Sequence, residues 1–116
     1  MSGDMEVQVR EHGAIVVLEL WGKLTAGENA ELLRTRFQER LEAGNRFFVL
    51  DCSTKFKYMD SAGVDAILEC NEAVVQHGGV VKLVEKPSCI DAIPRHWKIL
   101  SIYWTVDSAL ASFEHD

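Results

Sequence analysis

The sequence has little of what specialised chemistry requires. Its three cysteines, Cys52, Cys70 and Cys89, are odd in number, about eighteen residues apart, and form no C-x-x-C pair, which argues against a disulfide framework and a zinc ribbon. The four histidines, His12, His77, His96 and His115, are scattered. Metal ligands normally come in close-spaced pairs, so no metal site is expected. Basic residues are in deficit: 12 Lys and Arg against 18 Asp and Glu leave a net charge of −6. A protein that neutralises phosphates needs a basic face, so nucleic acid is not an expected partner. The motifs G-x-S-x-G, the P-loop and G-x-G-x-x-G are absent, and no histidine lies near Ser61 in the chain. Neither an enzyme nor a bound cofactor is expected. The N-terminus lacks a basic region followed by an apolar segment of signal-peptide length. The best apolar run, Ala14 to Trp21, is too short to span a bilayer and contains Glu19. The expectation is a cytoplasmic protein without membrane insertion.

What is present suits one globular domain. At 116 residues and 47% hydrophobic composition, the chain can build a core without staples. No repeat or domain boundary is visible, so residues 1–116 are read as one domain with a core of about 5–114. Val7 and Val9 alternate with polar residues, His12-Gly13 supplies a turn, and Ala14–Trp21 reads as a buried strand; together they predict a β-hairpin. Thr25-Ala26-Gly27-Glu28 reads as a capping box before a helix carrying Ala30, Leu33, Phe37 and Leu41, which Gly44-Asn45 ends. Phe47–Leu50 reads as a strand covered on both faces, and Lys55–Met59 as a mixed loop or short extended segment. A second helix, capped by Ser61, carries Val64, Ile67, Leu68, Val74 and Val75, and His77-Gly78-Gly79 stops it. Val80–Val84 follows as a strand, Pro87-Ser88 opens a short helix to about Ile93, and Pro94 ends it. Ile102–Trp104 is a last strand, and Thr105 or Asp107 caps a final helix with Ala109, Leu110 and Phe113. This order predicts an α/β fold: a mixed sheet of four or five strands opened by a hairpin, with about four helices packed on it.

The most informative stretch is Tyr58-Met59-Asp60-Ser61-Ala62-Gly63-Val64. Helix starts beyond strand ends are the usual binding places in open α/β sheets. An N-cap serine lies near solvent, beside unpaired amides and the positive end of the helix dipole. Gly63 falls in the first turn, where glycine costs up to about 1 kcal/mol relative to alanine. Close approach by another backbone would compensate for that cost. Equally, Ser and Asp are favoured at helix starts for purely structural reasons. The aromatic end of the chain, with Trp97, Tyr103 and Trp104, reads either as core or as interface.

Several segments together resemble the STAS domain of bacterial anti-sigma factor antagonists. Leu20-Trp21-Gly22-Lys23-Leu24 is similar to the family's L-x-G-x-L segment, Phe48–Asp51 to its central strand, Met59–Gly63 to its D-S-x-G signature, and Gly78-Gly79 to its later turn. The resemblance implies a STAS-like single domain that works by partner switching. It implies phosphorylation of Ser61 by a partner that is both anti-sigma factor and serine kinase. The unphosphorylated form would bind that partner, phosphorylation would release it, and a phosphatase would restore binding. Thr25, Asp60, Ser61, Ala62, Gly63, Val64 and Asp65 would form the partner-binding edge of a monomer or weak dimer. Physical chemistry agrees: a phosphate adds about −1.5 to −2 charges, tolerated at a helix start but repelled beside Asp60 in a packed interface. Two residues depart from the pattern. Thr25 stands where the family often has Asp, and Asp65 where it often has a small or apolar residue. Ser53 and Thr54 are secondary modification candidates ranked below Ser61. STAS-like domains also serve as constitutive subunits of larger assemblies, such as lipid-transport ATPase complexes, where Ser61 need not be modified. Nucleotide binding at the Ser61 helix start has one helix terminus and no basic residue to support it.

Overall fold

The computed structural model describes residues 5–85 and 101–115. The chain opens with an antiparallel hairpin, β1 (Met5–His12) and β2 (Ile15–Leu24). Then follow α1 (Glu28–Glu42), β3 (Phe47–Cys52), β4 (Phe56–Met59), α2 (Ser61–Gln76), β5 (Val80–Glu85), β6 (Ser101–Tyr103) and α3 (Val106–Ser112), the last running into a 3₁₀ turn. The sheet order is β1-β2-β3-β5-β6. All pairings after the hairpin are parallel, as helix-linked crossovers require.

The sheet is buried on both faces around its centre. Val16, Leu18, Leu20, Phe48, Leu50, Cys52, Val81 and Leu83 face α1 and α2, meeting Leu33, Phe37, Ala66, Ile67 and Val74. The Phe37 and Phe48 rings pack with centroids 5.1 Å apart. Alternate residues Val17, Val49 and Val84 face the other way and pack with Ala109 of α3. Lys82 points to the same side, where its Nζ donates to Ser112 Oγ at 2.7 Å and lies 4.1 Å above the Phe113 ring. The result is three layers, with β3 covered on both faces as its unbroken apolar run predicts.

Several local expectations change. The sheet has six strands among the described residues, not four or five. The extra one is β4, which pairs with the far end of β2 rather than with β3. Three α-helices are described, not four; the helix expected near Ser88–Ile93 lies outside the described residues, as does Trp97. The Thr25 capping box is not formed. Helix α1 begins at Glu28 after Gly27, whose φ of 86° only glycine adopts readily, and no side chain caps it. The cap of α2 is Asp60, and Ser61 is its first helical residue. Val75 is 57% exposed rather than core. Between the two candidate caps of α3, Thr105 is the cap, accepting from the Ser108 amide at 3.0 Å. Tyr103 packs against the α3 cluster, whereas Trp104 is half-exposed. No helix among the described residues is long and apolar enough to cross a membrane.

Candidate functional site

The candidate site is built by two neighbouring strand ends. Strand β2 pairs with β3 through Glu19 and then, from Gly22, with β4. Leu24 and Met59 are paired at the carboxyl edge of the sheet. The segments that follow, Thr25–Gly27 and Asp60–Gly63, therefore leave the sheet side by side and feed α1 and α2. The Asp60 amide donates to the Leu24 carbonyl at 3.2 Å, which keeps the second segment against the first.

Asp60 carries most of the polar organisation. Its Oδ1 accepts from the Gly63 amide at 2.8 Å and closes the first turn of α2. Its Oδ2 accepts from the Ala26 amide at 3.2 Å. On the other side, Asn29 is buried, and its Nδ2 donates to the Lys23 carbonyl at 3.1 Å and to Thr25 Oγ1 at 3.3 Å. The Thr25 carbonyl in turn accepts from the Ala30 amide at 3.0 Å. Thr25 thus anchors the 25–27 loop through both its backbone and its side chain.

The seven residues expected at the edge fall into different roles. Ser61 and Asp65, one turn apart on α2, are exposed. Thr25, Asp60, Ala62 and Val64 are half-buried, and Val64 also packs against the core. Gly63 is buried and faces inward: a Cβ there would meet the Leu24 carbonyl oxygen at 2.4 Å. The close backbone approach expected from that glycine is therefore present, and its partner is the end of β2. Ala26, Gly27 and Asn29 belong to the same edge, although sequence inspection singles out only Thr25 there. The one available signal was the glycine in Thr25-Ala26-Gly27-Glu28, which a capping-box reading conceals.

The serine and threonine candidates are also separated. Ser53 donates through its hydroxyl and its amide to Asp51 Oδ1, at 2.6 and 2.9 Å. The Thr54 hydroxyl donates to Glu19 and, foremost among several causes, holds that carboxyl below its usual range. The Ser61 hydroxyl is exposed and has no hydrogen-bond partner among the described residues. Elsewhere, burial pushes the Cys70 thiol up to about 12, so it stays protonated and unreactive at neutral pH.

A mixed sheet opened by a hairpin, with helix starts leaving its carboxyl edge and an exposed serine at one of them, defines a small α/β domain. The chain belongs to the STAS domain family, whose model matches residues 6–93. No curated protein matches it significantly by sequence. Among solved structures, an anti-sigma factor antagonist from Mycobacterium paratuberculosis is similar, with a TM-score of 0.80 at 17% identity, covering 98% of this chain and 97% of that one. The anti-sigma factor antagonist SpoIIAA in its unphosphorylated form gives 0.73 at 16% identity, covering 95% and 98%. The STAS-like fold is also part of the murine anion transporter Slc26a9, where the TM-score is 0.72 at 15% identity and the match covers 92% of this chain but 19% of the transporter.

Proposed function

We propose that this protein is an anti-sigma factor antagonist that switches partners through phosphorylation of Ser61. The observation that carries the reading is the placement of Ser61: exposed, its hydroxyl without a partner among the described residues, at the first position of α2 and next to the Asp60 carboxylate. A phosphate there is favoured by the positive end of α2 within its own fold. Against a partner's packed surface the same group adds charge beside Asp60 and must be desolvated. Binding is thereby opposed without any refolding. In this reading the edge of Thr25, Asp60, Ser61, Ala62, Val64 and Asp65 meets an anti-sigma factor with serine kinase activity, and a phosphatase resets the switch. The protein acts in the cytoplasm by binding and catalyses nothing itself.

The experiment is direct. The protein is incubated with its cognate kinase and ATP, and the phosphate is mapped by mass spectrometry. Label at Ser61 is expected; label elsewhere with none at Ser61 would sink the assignment. Ser61→Ala should bind the kinase and resist release, and Ser61→Asp should bind poorly.

The likeness to Slc26a9 favours one second reading, in which the domain is a constitutive subunit or scaffold of a larger complex and Ser61 stays unmodified. Stable co-purification from native cells with a transporter or an ABC ATPase would support it over the switch.

A further inference from the structure

We infer that Asp60 is the positioning residue of this edge, clamping the 25–27 loop to α2 and passing a charge placed on Ser61 across to that loop. One carboxylate serves two chain segments: Oδ1 holds the Gly63 amide at 2.8 Å, and Oδ2 holds the Ala26 amide, 34 residues away in sequence, at 3.2 Å. Gly27, with φ 86°, gives α1 no side-chain cap, and the loop's carbonyls at Thr25 and Gly27 accept from the Ala30 and Glu31 amides. Asn29 fastens the loop at Lys23 and Thr25, and Asp60 fastens it at Ala26. Removing the Asp60 bond frees the middle of the loop while its start stays held.

The link to Ser61 follows from charge. A phosphate at position 61 brings about −1.5 to −2 charges beside an existing carboxylate, and both groups draw on the positive end of the same helix. The longer of the two Asp60 bonds, to Ala26, is the one that yields. A modification on α2 is thereby registered on the other half of the edge, and residues 25–27 become part of the switching surface. This second half rests on the reading of Ser61 as the regulated residue; the clamp itself does not.

The test uses the full chain and backbone amide NMR. Asn caps helices about as well as Asp. In Asp60→Asn the side chain keeps one acceptor oxygen, which the shorter Gly63 contact retains, while its NH₂ group faces the Ala26 N–H. The Ala26 amide should shift and exchange about three- to tenfold faster, the loss expected for one modest hydrogen bond, and the neighbouring Gly27 amide should shift. The Gly63 and Val64 amides should barely move. Asp60→Ser, a second good cap with one short acceptor, should give the same pattern and serves if the first variant folds poorly. Ala26 and Gly27 amides that match the wild type in these variants overturn the clamp. Phosphoserine is then incorporated genetically at position 61, so that no kinase is needed. Ala26 should respond in the Asp60 background and much less in the Asp60→Asn background. Equal responses in both backgrounds overturn the transmission. Absence of Ser61 phosphate in cells would instead sink the switch reading and leave the clamp result standing.

Discussion

A methyl group on Gly63 would sit 2.4 Å from the Leu24 carbonyl oxygen and 3.0 Å from Leu24 Cγ, closer than packed atoms approach. Backbone on one side and helix on the other leave no flexible chain end to move aside. Gly63→Ala should therefore destabilise the protein by about 1–3 kcal/mol, despite the helix propensity of about 1 kcal/mol that alanine adds. Urea unfolding checks this, and a variant as stable as wild type would contradict the close approach. Cys70 gives a second residue-scale expectation. Its folded thiol titrates near 12, above its ordinary 9.0, because burial disfavours the thiolate. The sign follows from linkage: its contribution is intact below pH 9 and is lost as pH rises from 9 towards 12, where the unfolded chain ionises first. Stability followed through alkaline pH should fall over that interval, and less steeply in Cys70→Ala. At the same scale, the choice of Asp60 over Ser61 as cap was not legible in the sequence. Both residue types cap helices equally well, and only the direction of the Gly63 amide decides between them.

Each helix start is solved differently, and that is where sequence reading was weakest. The face that α1 buries, with Ala30, Leu33, Phe37 and Leu41, was legible from its spacing. Its beginning was not, because Gly27 takes φ 86° and ψ −131°, extending the loop past the threonine that a capping box would use. Serine is normally the better N-cap, yet Gly27→Ser should cost about 1–3 kcal/mol, because that backbone region is nearly closed to residues with a Cβ. Thermal unfolding of this variant is the check, with a gain in stability as the contrary outcome. In α3 the cap behaves as its residue type suggests. Thr105→Ala removes the acceptor for the Ser108 amide and should lower stability by about 1 kcal/mol. Strand β4 escaped sequence reading for another reason. It has four residues, and two of them, Lys57 and Tyr58, point to solvent, so no apolar run marks it. Its partner, the end of β2, is more than thirty residues away in sequence.

For the whole molecule, the alternation of strands and helices was enough to give a mixed sheet opened by a hairpin, since crossover handedness and parallel pairing leave few arrangements. The side of the sheet that α3 covers was not readable. Ala109, Leu110 and Phe113 show an apolar face, but only Val17, Val49, Lys82 and Val84, projecting opposite to the larger core, show where it lands. This division also separates the proposed binding edge from the core. That edge lies at one rim of the sheet, and the exposed Ser61 hydroxyl there has no hydrogen-bond partner among the described residues. Ser61→Asp should therefore leave unfolding free energy within about 0.5 kcal/mol of wild type, since an acid in the first turn of a helix is tolerated. Weak partner binding by that variant, with an unchanged urea midpoint, would place the defect at the surface.

The split pairing of β2 gives the chain a ruler. Residues 53–55 bridge β3 and β4, tied by Ser53 to Asp51, by Thr54 to Glu19 and by the Lys55 carbonyl to the Gly22 amide, while Phe56–Met59 lie against Gly22–Leu24 with a shift of register between Gly22 and Lys23. A residue added among 53–55 disturbs those bonds but falls ahead of the paired stretch. A residue added within 56–59 shifts the alternation, turns buried Phe56 or half-buried Met59 outward, and starts α2 rotated, so that Asp60 no longer faces Ala26. A change in length thereby costs local bonds on one side of Phe56 and the bearing of Ser61 on the other.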